Sequence, residues 1–241
     1  MDAPTPHREY RALVLGASGA VGGALVRELL GSEHCVGITA FVRNASPALE
    51  SLPGRAAKLA IKVVAMEHLG TDVARALAEL PDHSVAFCTL GVGQPRKVSA
   101  EMHWRVDVEY VTEFASACRL AGVEQFSLLT SVGANARSKS RYLRVKGAVE
   151  DAVRAMSFPR VSFFRPSLLV TKEIRYGLQD RLTQAIFPRI SWMLPSRYHQ
   201  NTVERLARAM RVDAEQAGGT ASDVREYGDF ARLLRDAATT A

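Results

Sequence analysis

The apolar run Ala12-Leu13-Val14-Leu15 gives way to Gly16-Ala17-Ser18-Gly19-Ala20-Val21-Gly22, after which apolar residues recur at Val21, Leu25 and Leu29. An unbroken apolar run suits a strand covered on both faces, and a spacing of four marks one face of a helix. The glycines between them fall as G-x-x-G-x-x-G. Gly16 permits a tight turn off the strand, Gly19 lets backbone approach a pyrophosphate, and Gly22 lets the helix pack closely on the strand. The first N–H groups of such a helix, with its positive dipole end, favour an anion. Strand, glycine turn and amphipathic helix together predict the opening βαβ unit of a Rossmann-type domain with a dinucleotide on its turn.

Outward from this turn, apolar runs alternate with helical patterns. Strands are expected near Gly37–Val42, Lys62–Val64, Val85–Thr89, Phe126–Leu129 and Val161–Phe164. Helices are expected near Val21–Leu30, Thr71–Leu80 (stopped by Pro81), Ala100–Ala121 and Tyr142–Met156. This predicts an α/β fold, a doubly wound parallel sheet. Residues 171–200 mix basic, aromatic and proline residues without a period, and helices near Val203–Met210 and Ser222–Ala238 close the chain. With 241 residues and no linker, the reading is a single domain, residues 1–241, with a small C-terminal substrate-side lobe from about residue 171. The 171–200 segment is read either as a lid over the site or as a packing element.

The end of the second strand bears on the cofactor. An NAD enzyme places Asp or Glu there for the ribose 2′-hydroxyl. This chain has Phe41-Val42-Arg43-Asn44. A guanidinium pairs with a 2′-phosphate that a carboxylate would repel, so Arg43 points to NADP(H).

Tyr142 and Lys146 are four apart on an expected helix, hence on one face. A lysine so placed tunes the tyrosine as a proton donor and reaches the nicotinamide ribose. Ser131 follows the fifth strand at the carboxyl edge, where its hydroxyl can bind a substrate carbonyl. There is no G-x-S-x-G and no Walker lysine loop, and the histidines form no metal-ligand spacing, so no metal is expected. His103 and Trp104 read as packing or surface residues.

Composition agrees with this picture. The chain is 47% hydrophobic with a net charge of +6, read as a mildly basic surface or as attraction for an anionic ligand. No nucleic-acid motif and no apolar run near the roughly 20 residues of a membrane span is present, and no secretory leader is expected. Cys35, Cys88 and Cys118 stand apart in apolar segments, read as reduced and buried, which suggests a cytoplasmic location.

The chain resembles the atypical short-chain dehydrogenases of the Tat-interacting oxidoreductase family. The resemblance rests on Gly16-Ala17-Ser18-Gly19, Phe87-Cys88-Thr89-Leu90-Gly91, Arg105-Val106-Asp107, Tyr142-Leu143-Arg144-Val145-Lys146-Gly147 and Phe164-Arg165-Pro166. It implies NADPH as ligand, with Ser18, Gly19, Ala20 and Val21 along the phosphates and Arg43 and Asn44 at the 2′-phosphate. Leu90 and Gly91 would lie along the cofactor, with Pro166 and Leu169 near the nicotinamide. Three positions depart from the family pattern: Asn44 stands where relatives often carry a second basic residue, which would weaken the NADPH preference, Ala65 replaces an aspartate near the adenine, and Asp107 stands where classical members place the asparagine of a proton relay. Two functions fit: a reductase of carbonyl or quinone-like small molecules, or a regulatory module that senses NADPH without turnover. The chain is expected to be a monomer or weak homodimer, and the family's nuclear-transport and transcription partners are implied by resemblance alone.

Overall fold

Ala12 and Val14 turn to one side of their strand and Leu13 and Leu15 to the other, and each set joins a separate buried cluster. The sheet therefore needs helices on both faces, and the continuous apolar spelling of its strands follows from that. The computed structural model describes residues 8–78, 83–167, 169–170, 201–216 and 221–240, with the backbone alone at 169, 170, 201 and 240.

The elements in chain order begin with β1 Tyr10–Leu15, α1 Ala20–Leu30, β2 Cys35–Val42, α2 Pro47–Glu50, α3 Arg55–Lys58 and β3 Leu59–Val63. They continue with α4 Leu69–Ala76, β4 Ser84–Cys88, α5 Ala100–Trp104, α6 Tyr110–Leu120, β5 Gln125–Leu129, α7 Arg141–Ala155 and β6 Arg160–Phe164. The chain ends in β7 Leu169–Val170, β8 Asn201–Thr202, α8 Val203–Glu215, β9 Ser222–Arg225 and α9 Tyr227–Thr240. Seven strands pair in parallel in the order β3-β2-β1-β4-β5-β6-β9. Leu25, Leu29, Leu206, Met210 and Phe230 pack α1, α8 and α9 on one face. Val73, Phe114, Val145 and Val149 pack α4, α6 and α7 on the other. The strand order reverses between β1 and β4, the switch point where open α/β sheets bind ligands.

Two elements differ from the sequence expectation. The helix expected over Ala100–Ala121 is interrupted, because Arg105–Glu109 form a π-helical turn between α5 and α6. Ser222–Arg225, expected to begin the last helix, is instead the seventh strand. Its polar spelling hides it, for it lies at the sheet edge and is held by its ladder to β6 and by ion pairs. The closing helices lie on the main sheet rather than beyond it. Segment 171–200, read as a lid or packing element, lies outside the described residues, as does Pro81. No described helix is long and apolar enough to cross a membrane.

Helix α7 is seated by one contact of shape and one of charge. At Gly147 an added Cβ would stand 2.1 Å from the Ala136 nitrogen, so the loop after β5 lies directly on the helix backbone. One turn further on, the Glu150 carboxylate is buried. It accepts from the Thr130 hydroxyl at 2.7 Å and from two nitrogens of Arg165, Nε at 2.9 Å. Thr130 precedes Ser131 and Arg165 precedes Pro166, so this node ties three candidate site segments together. Gly147→Ala should cost about 1–3 kcal/mol through overpacking. Glu150→Ala, which leaves Arg165 uncompensated, should cost about 3–5 kcal/mol. Urea unfolding measures both, and a wild-type midpoint in either variant contradicts the corresponding contact.

Candidate functional site at the sheet switch point

The glycine turn sits in the switch point as the sequence predicts. Gly16 has φ +88°, and a Cβ there would lie 2.7 Å from the Leu90 nitrogen. A Cβ at Gly22 would lie 2.2 Å from the Gly16 carbonyl oxygen and 2.7 Å from Thr89 Oγ1. The Thr89 hydroxyl donates toward the carbonyls of Leu15 (3.2 Å) and Gly16 (3.3 Å), closing β4 onto the turn. Gly19 is different, for its φ of −76° is open to any residue and its nearest clash, with the Gly16 oxygen, is milder at 3.2 Å. Packing thus demands glycine strongly at Gly16 and Gly22 and weakly at Gly19, which is exposed with Ser18. Helix α1 begins here with no side-chain cap and no acid in its first turn, so its positive end faces outward unopposed. Ala20 and Val21 form that first turn. These features fit the pyrophosphate of a dinucleotide.

Beyond β4 the chain passes Leu90 and Gly91 and meets Lys146. A Cβ at Gly91 would stand 3.1 Å from Asp107 Oδ1 and 3.4 Å from Lys146 Nζ. Lys146 Nζ lies 2.8 Å from Asp107 Oδ1, and both side chains are buried, with 9% and 2% exposure. The Val92 N–H donates to the other Asp107 oxygen at 2.9 Å. Burial works against the Lys146 ammonium, but the hydrogen-bonded Asp107 carboxylate, with smaller help from Tyr142 and Cys88, outweighs it, and the lysine's pKa is raised above the ordinary value. Tyr142, half-buried, precedes Lys146 by one turn of α7. Its ring stacks on His103, centroids 6.1 Å apart and planes 14° apart.

The remaining candidates lie around this centre. Ser131 is buried at the end of β5, and its hydroxyl makes a long 3.4 Å bond to the Val132 carbonyl. The Val132 N–H donates to the Pro166 carbonyl at 3.0 Å, joining the β5 and β6 exits. Leu169 lies in β7, its side chain outside the described residues. Arg43 and Asn44 are exposed just past the end of β2, the strand beside the glycine turn. Among the described residues no cluster of potential metal ligands occurs.

Sequence reading missed three residues here. His103, taken as a packing or surface residue, is fully buried against Tyr142, and neither ring nitrogen has a hydrogen-bond partner among the described residues. Asp107, noted only as a departure from a relay, is the partner of Lys146. Thr89 is the clasp over the turn. A signal existed for the first two: His103 and Asp107 repeat the i, i+4 spacing of Tyr142 and Lys146.

Comparison with known proteins agrees with this geometry. The signature of a family described as NAD(P)H-binding matches residues 16–185. The rat protein HTATIP2 is 36% identical over 163 residues, which cover 65% of this chain and 62% of that protein. Protein FMP52-1, mitochondrial, of Scheffersomyces stipitis is 32% identical over 178 residues, covering 73% of this chain and 74% of that protein. A short-chain dehydrogenase/reductase from Serratia marcescens superposes with a TM-score of 0.67 at 15% identity, over 94% of this chain and 100% of that one. MoeE5 in complex with UDP-glucose and NAD superposes with a TM-score of 0.65 at 17% identity, over 95% and 82%. At these identities the structural likeness speaks to the fold.

One expectation is corrected by these relatives. The chain was expected to be cytoplasmic, but several fungal relatives are named as mitochondrial proteins. The free, buried cysteines Cys35, Cys88 and Cys118 on which the expectation rested fit any reducing compartment and do not single out the cytoplasm. With the glycine turn at the switch point, the Tyr142–Lys146 pair on α7 and these matches together, the chain belongs to the NAD(P)H-binding family, among the atypical short-chain dehydrogenases that include HTATIP2 and the Fmp52 proteins.

Proposed function

We propose that the chain is an NADPH-dependent reductase of a carbonyl or quinone-like small molecule. The observation that carries this reading is the placing of Tyr142 and Lys146 on one face of α7, with Lys146 beside Gly91 at the rim of the switch-point crevice. The glycine turn and the open end of α1 hold the pyrophosphate, and Arg43 with Asn44 meets the 2′-phosphate. Lys146 holds the nicotinamide ribose. The nicotinamide, when bound, supplies the hydride. Ser131 orients the substrate oxygen, and Tyr142 Oη gives it a proton as negative charge develops there. Pro166, buried where the β6 exit is tied to that of β5, forms a wall of the same crevice.

Two measurements test the reading. NADPH should bind more tightly than NADH, and Arg43→Ala should narrow that gap by roughly 1.5–3 kcal/mol, the range for a hydrogen bond to a charged group. Cofactor fluorescence titration reads it, and equal affinities in the wild type overturn the NADPH preference. Turnover is sought with aldehydes and quinones, following NADPH consumption. Tyr142→Phe should leave NADPH affinity nearly intact and lower kcat by at least about 100-fold, the lower range for a positioned acid. An unchanged kcat rules out the acid role.

A further inference from the structure

Tyr142 and Lys146 on α7 face His103 and Asp107 on the opposing helix as two matched i, i+4 pairs. The rings stack across one end and the ions pair across the other. Stability does not explain such a cluster. Burying an acid, an ammonium and an unpartnered imidazole is costly, and apolar residues of similar volume are often as stable or more so. Asp107 also sits within the π turn Arg105–Glu109, an irregularity frequent at functional sites. Its second oxygen is occupied by the Val92 N–H, so the carboxylate is fixed at both ends.

We propose that Asp107 is a positioning residue that acts through Lys146: it is the counter-ion that keeps the buried ammonium charged and directed at Gly91 and the cofactor crevice beyond. The proposal rests on the cofactor site described above but not on turnover. The lysine is nearly inaccessible, and the Asp107 carboxylate 2.8 Å from Nζ is its one ion-pair partner among the described residues. Gly91 belongs to the same device, because a Cβ there would press on the pair from the side, 3.1 Å from Oδ1 and 3.4 Å from Nζ.

The other groups facing Lys146 are Tyr142 from α7, Cys88 from β4 and, through Asp107, His103 from α5. Burial pushes the Cys88 thiol up to about 12, and it pushes the His103 imidazole below its ordinary value against the pull of Asp107. Arg141 stands near enough to His103 to oppose its charging as well. Between pH 7 and 10, then, thiol and imidazole are both neutral, and the titration of Lys146 reports on Asp107 once Tyr142 is accounted for.

The experiment is a pH titration of the lysine Cε resonances in protein carrying 13C-labelled lysine. The chain has six lysines, and Lys146→Arg identifies the resonance. Wild-type Lys146 should stay charged to pH 10. Asp107→Asn keeps the shape and an acceptor for Val92 but removes the charge, and Lys146 should then lose its proton at least one pH unit lower. NADPH affinity of this variant should fall as the pH rises through its lowered Lys146 midpoint, while that of the wild type stays level over the same range. Asp107→Glu should restore much of the wild-type behaviour, which a purely structural role would not require. Should Asp107→Asn fail to fold, Gly91→Ala crowds both partners while leaving them present, and Lys146 should again titrate lower, by less. Repeating the titrations with Tyr142→Phe removes the phenol. A Lys146 midpoint that is the same in wild type, Asp107→Asn and Gly91→Ala overturns the proposal. A protein that passes these titrations and binds NADPH yet reduces nothing overturns the reductase reading and leaves this one standing.

Discussion

The contact on which the site depends is between atoms that have no side chain to separate them. Gly22 lies against the Gly16 carbonyl and Thr89, and Gly16 lies against the peptide that joins Thr89 to Leu90. No residue with a Cβ fits at either place without moving backbone. The result is a helix that starts directly over the switch point, so its free N–H groups open into the crevice between β1 and β4. The same closeness brings the Leu90-Gly91 segment beside the turn. Gly91 in turn borders the Lys146–Asp107 pair, so the glycine turn and the buried ion pair meet on one short stretch of backbone.

The sequence reveals this part of the molecule because backbone needs are spelled locally. A strand buried on both faces must be apolar throughout, a turn with φ +88° favours glycine, and a helical pair needs a spacing of four. Each is written within a few consecutive residues. The π turn is not, because Arg105-Val106-Asp107-Val108-Glu109 has the composition of an ordinary helix. What favours the π register comes from the tertiary contacts of Asp107 with Lys146 and Val92, which are distant in sequence. His103, read as a packing or surface residue, is a packing residue, and its partner could not be named until the opposing helix was known to bring Tyr142 over its ring.

The seventh strand shows how far a hidden polar contact can reach. Asp213 on α8 is fully buried, where it accepts from Ser162 Oγ at 2.7 Å and Arg225 Nε at 2.9 Å. Arg160 stands 3.2 Å away. No hydrophobic pattern marks Ser222-Asp223-Val224-Arg225 as a strand; a carboxylate supplied by a helix beneath the sheet selects it. Buried ions of this sort contribute register more than stability. With Arg225 in register, its carbonyl accepts the Arg165 N–H at 2.9 Å. Arg165 then reaches Glu150, and Glu150 reaches Thr130 beside Ser131. Two buried carboxylates thus link a polar edge strand to the β6 exit beside Pro166 and to α7. Through the Arg165–Glu150 pair the Phe-Arg-Pro stretch and the helix of the Tyr-x-x-x-Lys-Gly stretch, separate in sequence, are held to each other.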